Sequence, residues 1–554
     1  MTATAQKWWQ DGEVYEIYTS SFCDSNGDGT GDLRGILSRL DHLQQLGIDA
    51  VWLTPVYASP MVDNGYDVSD YRAINPLYGS MEDMEELIRA AGERGIRIVM
   101  DLVINHTSDR HRWFTESCQG KDNPCSDYYI WRDAGPDGAV PNNWRSIFGG
   151  SAWTWNERRG QYYLHTFAAA QPDLNWANPA VRREILEIAN FWLDKGVGGF
   201  RIDAVPYIKK PSALADGLPD NADGTVSIHS MTANTEGILD YLREFNNGLR
   251  RREEIFTVGE ANGVEASSLK DWVGTDGVFD MLIQFTHLAD TDTWYLASAP
   301  DLAGLRKALN DSQAATASNG WYPIFFENHD KPRSVNVYFG ADCDPDLSAR
   351  TLGTILYTLR GTPFLYQGQE IGMRNTTWSM EEWNDVSIRG QYDLALANHY
   401  TPEEAMGFVN FCTRDNARTP MQWSAAPQAG FTSGTPWLKV NPDYRTVNVE
   451  AQASDPHSVL SWYRTLAALR SRSEILRRGD YIPLLTEHPQ ILAFRRSYQG
   501  AGLTVFANMT ASPAVLSPDQ TRGLTLLLTS REDCRDPDHL APLEARIYSD
   551  RESI

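Results

Sequence analysis

The feature that most constrains the fold of this chain is a repeated alternation of short apolar runs with amphipathic, helix-like stretches. The runs are rich in β-branched and aromatic residues, and helical segments or long excursions separate them. This alternation is typical of βα units, whose strands pair in parallel. Eight such units predict an α/β fold, a (β/α)8 TIM barrel. The predicted strands are residues 14–20, 50–56, 97–105, 199–205, 255–260, 278–285, 322–330 and 363–370.

Two of the intervening stretches show why helices are expected. Residues 81–95 and 179–196 repeat apolar side chains at the spacing of one helix face. Before the second stretch, Asn178 is a favourable N-cap residue. Pro179 suits the first helical position because the N–H that it lacks is not needed there, and Gly196 is a stop signal.

Two segments depart from a minimal barrel. Residues 104–172 are too many for one crossover helix and are rich in Trp, Asn, Asp and Gly, which predicts an inserted, loop-rich subdomain after strand three. From residue 478 the pattern changes to short alternating runs, which predict a C-terminal antiparallel β domain over residues 478–554. The barrel itself is then expected over residues 1–103 and 173–477.

Composition narrows the class of protein. The 554 residues carry a formal net charge of −24, which repels phosphate backbones and anionic membranes, so neither a nucleic-acid nor a membrane partner is expected. Six scattered cysteines without a CxxC pair argue against a disulfide scaffold or a structural zinc site. With no signal-peptide pattern and no apolar run of about 18 residues, a cytoplasmic protein is predicted. A monomer and a homodimer both remain open.

Polar side chains gather at the carboxyl ends of the predicted strands, which meet at one mouth of a barrel. A pair of carboxyl groups in such a mouth suits glycoside hydrolysis, where one protonates the leaving oxygen and the other attacks the sugar. Arg201 precedes Asp203 by two residues on the same face of a strand, so we expect it to keep that carboxylate ionised. The polar residues are Asp101, Asn105, His106, Arg201, Asp203, Glu260, Asn328, His329 and Asp330.

Four segments carry a family resemblance. DLVINH, GFRIDAV, VGEAN and ENHD follow one another in the order of the four signature regions of the α-amylase family, glycoside hydrolase family 13. The resemblance covers nearly the whole chain. QPDLNWANP (171–179) and RDNARTPMQW (414–423) resemble the branch of oligo-1,6-glucosidases and α-glucosidases, whose neighbours are trehalose synthases and sucrose isomerases. The family resemblance implies a retaining glycoside hydrolase that acts on small α-glucosides, such as maltose, sucrose and short oligosaccharides.

The resemblance also implies individual roles. The matching positions make Asp203 the nucleophile and Glu260 the acid/base, while Asp330 holds the 2- and 3-hydroxyls of the sugar. Three further residues match those that contact the nucleophile or the bound sugar: His106, Arg201 and His329.

A second set of matches concerns the shape of the site. Asp63 and Tyr66, in the segment DNGYD, match residues that hold the non-reducing terminal glucose, and Arg414 matches the arginine that pairs with this aspartate. An Asp–Arg clamp over the far hydroxyls closes the site, so that only a chain end enters. Exo action that releases one glucose at a time is therefore expected.

Linkage preference depends on fewer residues. In this branch, valine directly after the nucleophile accompanies α-1,6 preference, so Ala204 predicts α-1,4. Residues 217–237 match no member of known specificity and are expected to border the aglycone sites.

Transglucosylation, glucosyl transfer, isomerisation of the trehalose-synthase or sucrose-isomerase type and α-1,6 hydrolysis all remain open. A non-catalytic subunit is disfavoured because all three carboxylates are present.

The segment DSNGDGTGD (24–32) presents oxygen-bearing side chains at alternate positions, a pattern that suits Ca²⁺. The glutamate that ends an EF-hand loop is missing, and a metal-free turn is the alternative. The family resemblance implies one structural Ca²⁺ or Mg²⁺ here, away from the catalytic centre, and no organic cofactor. The candidate ligands are Asp24, Asn26, Asp28, the carbonyl of Thr30 and Asp32.

Overall fold

Eight parallel strands form the central sheet of the chain, seen here in a computed structural model. The strands are β1 (Val14–Ile17), β2 (Ala50–Leu53), β3 (Arg97–Val103), β4 (Gly199–Asp203), β5 (Phe256–Glu260), β6 (Met281–Ile283), β7 (Pro323–Ile324) and β8 (Thr362–Tyr366). Hydrogen-bonded neighbours run in the order β6, β5, β4, β3, β2, β1, β8 and β7. Because β6 also contacts β7, the sheet closes into a TIM barrel. The structure describes residues 7–274, 277–288, 293–298, 301–318, 320–339, 343–532 and 536–551.

All eight predicted strands are present, and most end earlier than the predicted runs. The largest difference is in β7, where residues 322–330 were expected and only Pro323–Ile324 form ladder bonds. The next residues leave the ladder because Glu327 binds Ser334 N–H and Arg333, whose Nη1 lies 3.3 Å from Glu327 Oε1. Polar residues at the strand ends thus belong to the loops that form the mouth of the barrel.

Helices surround the strands. The helix Pro179–Asp194 begins as expected, since Asn178 accepts a hydrogen bond from Ala180 N–H and Pro179 occupies the first position. Its buried residues Ile185, Ile188 and Trp192 lie three and four positions apart and pack into the core. The longer helices are Leu33–Ser38, Leu40–Leu46, Met81–Glu93, Pro179–Asp194, Ile238–Gly248, Leu302–Thr316, Pro345–Thr358, Ile388–Ala397, Pro402–Cys412 and Val459–Arg472.

The segment between β3 and β4 contains a small sheet of its own. Its three antiparallel strands pair in the order Trp131–Arg132, Gln161–Leu164 and Trp153–Asn156. A separate cluster of buried side chains, which includes Trp144 and Trp153, fills this unit. The small sheet lies within the predicted subdomain 104–172.

A five-stranded antiparallel sheet ends the chain, as predicted. Its order is Asp480–Leu484, Ile491–Tyr498, Ala501–Asn508, Ala545–Ser549 and Thr525–Thr529. The fully buried Arg496 joins this sheet to the barrel, because its Nη1 donates to the Thr358 carbonyl at 2.8 Å. Thr358 is the last residue of the helix Pro345–Thr358, so Arg496 satisfies one of the carbonyls that a helix end leaves free.

Five of the six cysteines lie within the described part of the chain. Cys23, Cys118, Cys125, Cys343 and Cys412 are free thiols, while Cys534 lies outside the described residues. Within the described ranges, every helix is too short or too polar to cross a membrane.

Candidate active site

A cavity of about 200 Å³ opens at the carboxyl ends of the barrel strands. Aromatic side chains form much of its wall, among them Phe148, Phe167, Tyr207, Phe285 and Trp294. Two predicted site residues, Arg201 and His329, are fully buried directly beneath it. The other predicted site residues line the cavity: Asp63, Tyr66, His106, Asp203, Glu260, Asp330 and Arg414.

Arg201 connects the carboxylates at the base of the cavity. Its Nη1 lies 2.7 Å from Asp203 Oδ1 and 2.9 Å from both oxygens of Asp101, and its Nη2 contacts the Glu260 carboxylate. The ladder explains the arrangement, because Arg201 pairs with Asp101 across β3 and β4, and Glu260 ends the next strand. One guanidinium thus binds three carboxylates from three adjacent strands.

This shared guanidinium changes the expected ionisation of Asp203. Burial raises the pKa of Asp203 well above its usual range, and the neighbouring carboxylates of Glu260 and Asp101 add to the rise. Arg201 lowers this pKa, as the sequence predicted, but its single charge serves three carboxylates. The guanidinium therefore offsets the rise in the pKa of Asp203 only in part.

A second network surrounds His329. Its Nδ1 lies 2.5 Å from Glu16 Oε1, and its Nε2 lies 3.1 Å from Asp330 Oδ2 and 2.6 Å from Tyr66 Oη. Burial disfavours the charged imidazole, but the carboxylates of Asp330 and Glu16 outweigh it and raise the pKa of His329 to about 9. The imidazolium then donates on both sides, and Tyr66 passes a hydrogen bond on to Asp101 Oδ2 at 2.9 Å.

Asp330 is held as a carboxylate by cations on two sides. Burial raises its pKa, but His329, Arg414 and Arg418 together lower it well below its usual range. Arg418 Nη2 lies 2.9 Å and Arg414 Nη1 3.4 Å from Asp330 Oδ1. Asp330 can therefore accept hydrogen bonds from sugar hydroxyls across the whole neutral range of pH.

The predicted clamp residues meet at the far end of the cavity. Arg414 Nη2 lies 3.2 Å from Asp63 Oδ1 and 2.6 Å from Asp385 Oδ1. Its guanidinium also faces the Phe148 ring, with the guanidinium carbon 5.0 Å from the ring centre. Arg414 therefore has a fixed orientation between Asp63 and Asp385.

His106 lies beside this clamp as a neutral imidazole, because burial lowers its pKa to about 4. Its Nε2 lies 3.2 Å from the Tyr66 carbonyl and 3.1 Å from Gln171 Nε2. Gln171 also donates to Asp63 Oδ2 at 3.1 Å. It thus joins His106 to the clamp.

Several residues of the site were not identified from sequence. Arg418 stands four positions after Arg414 in the short helix Asp415–Arg418, and this helical spacing is a signal that points to one shared face. Gln171 belongs to a segment that was recognised without a role for this residue. Asp385 and Glu16 carry no motif, because they meet their partners only through the tertiary fold.

The segment 24–32 forms a series of Asx turns. Asp24 Oδ1 accepts hydrogen bonds from the N–H groups of Asn26 and Gly27 at 2.8 Å, and Asp28 Oδ1 accepts from Thr30 N–H at 2.9 Å. Asp32 caps the helix Leu33–Ser38 through Gly35 N–H. The oxygen atoms of the 24–32 segment are of the kind that Ca²⁺ prefers. Within the described ranges, however, no group of three Asp, Glu, His or Cys residues converges on one metal position. Ca²⁺ or Mg²⁺ here stays a prediction.

Comparisons with known proteins match most of the chain. The family model described as alpha amylase, catalytic domain, matches residues 16–479. An oligo-1,6-glucosidase of Parageobacillus thermoglucosidasius is 43% identical, over 98% of this chain and 99% of that protein. A trehalose-6-phosphate hydrolase of Escherichia coli (strain K12) is 40% identical, over 97% and 98% of the two chains.

Solved structures show the same architecture. The crystal structure of the trehalulose synthase MutB from Pseudomonas mesoacidophila MX-45 superimposes with a TM-score of 0.92 at 38% identity. The superposition covers 99% of this chain and all of that one. By their names, these three proteins catalyse different reactions, so substrate choice depends on details of the site and not on the overall fold.

Proposed function

This chain belongs to the α-amylase family, and we propose that it is a retaining, exo-acting α-glucosidase. It releases glucose from the non-reducing ends of short α-glucosides such as maltose, sucrose and short oligosaccharides. One observation carries the proposal. Asp203 and Glu260 contact the same buried guanidinium, that of Arg201, at the base of a cavity whose far end holds the Asp63–Arg414 pair.

In the first step, Asp203 attacks the anomeric carbon of the bound glucosyl unit while Glu260 donates its proton to the glycosidic oxygen. The bond to the aglycone breaks, the aglycone leaves as an alcohol, and a glucosyl ester forms on Asp203. As Asp203 loses its charge, Glu260 gains one, so Arg201 keeps a carboxylate partner throughout. This constant charge is a form of preorganised electrostatic stabilisation.

In the second step, Glu260 removes a proton from water, and the water oxygen attacks the anomeric carbon of the ester. The ester bond breaks, Asp203 returns to the carboxylate form, and glucose leaves with the α configuration. A sugar hydroxyl that replaces water gives transglucosylation by the same chemistry. Asp330, ionised by its three cationic neighbours, accepts hydrogen bonds from the sugar hydroxyls in both steps.

The Asp63–Arg414 pair supports exo action. Both side chains line the cavity and are almost fully withdrawn from solvent, so a polymer has no space to continue beyond them. Charged hydrogen bonds to the far hydroxyls of one glucose are stronger than neutral ones and depend on geometry. A terminal glucose satisfies that geometry, whereas an internal unit carries a substituent at the point of contact.

For the linkage, we propose a preference for α-1,4 bonds, based on Ala204. This residue directly follows the nucleophile, lines the cavity and adopts a left-handed backbone with φ +49°. Its small side chain leaves space for a 4-linked aglycone beside Asp203. The relatives named oligo-1,6-glucosidase favour a second candidate, hydrolysis of α-1,6 bonds. The likeness to a trehalulose synthase favours a third, isomerisation of sucrose.

A Ca²⁺ held by the 24–32 segment, with Mg²⁺ as the alternative, would stabilise the loop that leads into the helix Leu33–Ser38. None of its candidate ligands lines the catalytic cavity, so we propose a structural role without a part in the chemistry.

The test is product analysis after incubation with maltose, isomaltose, sucrose and trehalose, each at high concentration. The proposal predicts α-glucose from maltose at the highest efficiency, and no cleavage of a maltooligosaccharide whose non-reducing end is chemically blocked. Faster cleavage of isomaltose would establish the α-1,6 alternative. Conversion of sucrose or maltose into an isomer without net glucose release would establish an isomerase.

A further inference from the structure

Two glycines meet where the inserted segment touches the helix Ile388–Ala397. A methyl group added at Gly390 would collide with the Phe148 carbonyl oxygen, and one added at Gly149 would lie 3.2 Å from Gly390 Cα. Gly149 also has φ +95°, a conformation that glycine adopts without strain. The two backbones are therefore in direct contact, with no space for a side chain on either.

Hydrogen bonds brace the loop of residues 146–150 up to this contact. Ser146 Oγ donates to the Phe167 carbonyl at 2.8 Å, and Ile147 N–H donates to the Thr166 carbonyl at 2.9 Å. Within the loop, Gly149 N–H donates to the Ser146 carbonyl at 3.0 Å. A loop braced in this way transmits a displacement at its tip to Phe148 instead of absorbing it.

Phe148 is the residue that connects this contact to the sugar site. Its ring lies over the Arg414 guanidinium at 5.0 Å and packs against Phe167 at 5.4 Å between ring centres. All three side chains line the cavity. The ring shields the Asp63–Arg414 pair from water on one side, and a charged pair interacts more strongly where water is excluded.

We propose that Gly390 is a positioning residue for the closed end of the cavity. Because it has no side chain, the 146–150 loop docks on the helix Ile388–Ala397 and holds Phe148 over Arg414, which orients the clamp for a terminal glucose. This inference rests on the proposed exo-glucosidase function and deepens it, since it identifies what keeps the pocket closed.

The test compares Gly390→Ala with Gly407→Ala. Gly407 lies in the neighbouring helix Pro402–Cys412, where an added methyl group meets no atom within 4 Å. Both substitutions favour a helical backbone, and the contact with the loop is the main difference between them. We expect Gly390→Ala to raise the KM for maltose about tenfold while kcat changes less than about twofold. This pattern indicates that the enzyme binds the substrate and the transition state more weakly by the same amount. Gly407→Ala should match the wild type.

A double-mutant cycle with Phe148→Ala separates positioning from general loosening. If Gly390 acts through Phe148, then Phe148→Ala alone raises KM, and adding Gly390→Ala changes it little further. Loss of folded enzyme would instead lower kcat at unchanged KM. Should Gly390→Ala fail to fold, Phe148→Ala and Gly149→Ala carry the comparison.

Equal KM values for folded Gly390→Ala and Gly407→Ala would overturn the inference, as would a full Gly390→Ala effect in the Phe148→Ala background. Calorimetric binding of glucose to the same proteins makes the comparison without turnover. Weaker binding by Gly390→Ala than by Gly407→Ala supports the inference, and equal binding contradicts it. A wild-type enzyme that releases no glucose from maltose contradicts the proposed function alone.

Discussion

Arg201 Nη1 donates to Asp203 Oδ1 at 2.7 Å from the same strand, two residues away. Because alternate residues of a strand share one face, the backbone of β4 fixes this pair before any substrate binds. The proposed nucleophile therefore has a constrained rotamer and a fixed charge partner. Preorganisation of this kind avoids rearrangement at the moment of reaction.

The first prediction concerns the two carboxylates of the reaction. Asp203→Asn and Glu260→Gln should each lower kcat by at least about 1,000-fold, because a general acid/base alone contributes roughly 10²–10⁴-fold. Asp311→Asn, on the exposed face of the helix Leu302–Thr316, is the matched control and should keep wild-type activity. Proton NMR in the first minutes of wild-type turnover should show α-glucose. An initial β product, or a folded variant with normal turnover, would contradict the assigned roles.

The second prediction concerns linkage. Ala204→Val should raise the ratio of isomaltose to maltose efficiency about tenfold, which corresponds to roughly 1.4 kcal/mol. Since a β-branched residue is strained at φ +49°, the variant should also be less stable. The ratio is unaffected by this loss, because both substrates are measured on the same enzyme sample. Ala204→Gly, which tolerates the left-handed backbone, is the control and should leave the ratio near that of the wild type.

An unchanged ratio in Ala204→Val, or a wild type that prefers isomaltose, would place linkage recognition elsewhere. The first region to examine would then be residues 217–237. His229 in this segment contacts Tyr207, with 2.8 Å between His229 Nδ1 and Tyr207 Oη, and Tyr207 lines the cavity.

The third prediction concerns pH. The folded-state pKa of His329 is about 9, above its ordinary value of 6.5. Because the folded state binds this proton more tightly than the unfolded state, the charged imidazole stabilises the fold fully below about pH 6.5. This contribution to the free energy of unfolding is lost as the pH rises through 9. The melting temperature of His329→Gln should therefore fall furthest below that of the wild type at pH 6, and the gap should narrow by pH 9.5.

Two controls accompany the pH experiment. His457→Gln replaces a histidine that is largely exposed, so its effect should be small at every pH. All measurements use one ionic strength, since screening alters charge interactions. A gap between wild type and His329→Gln that stays constant from pH 6 to 9.5 would show that the imidazole is not charged in the folded protein.

The fourth prediction concerns the metal. If residues 24–32 hold Ca²⁺, EDTA should lower the melting temperature more than it lowers initial activity at 25 °C. Binding to the folded state alone stabilises it by about 2.7 kcal/mol when the free ion is at 100 times its Kd. Asp24→Asn should abolish the shift on adding Ca²⁺, and Mg²⁺ tested alongside decides between the two ions. If the melting temperature does not shift and elemental analysis finds no metal, residues 24–32 form a turn that binds no metal.

The barrel was predictable because each βα unit carries its own local pattern, and the C-terminal strand Ile491–Tyr498 lies in the region of short alternating runs predicted to form a β domain. Strand ends were not predictable to the same degree. Residue 204 continues an apolar run, yet it turns into a left-handed conformation that no local signal in GFRIDAV requires. A short 3-10 turn, Val205–Tyr207, follows it directly.

The site divides in the same way. Glu260 and Asp330, at the ends of predicted strands, were identified as candidates because a barrel brings its strand ends together. Asp385 and Phe148 were not identified, since they belong to loops that approach Arg414 only through the tertiary fold. The sharing of Arg201 among three carboxylates also required the register of β3, β4 and β5, which sequence does not specify.

Arg496 has a consequence for how the chain is divided. This arginine belongs to the terminal sheet, yet its partner is the carbonyl at the end of a helix that precedes β8. A truncation near residue 478 would remove the donor to that carbonyl and expose to water the helix surface on which the terminal sheet packs. The terminal sheet is therefore no detachable module. It should unfold cooperatively with the barrel in a single calorimetric transition. Replacing it with the sheet of a homologue should succeed only if the incoming sheet also carries an arginine at this position.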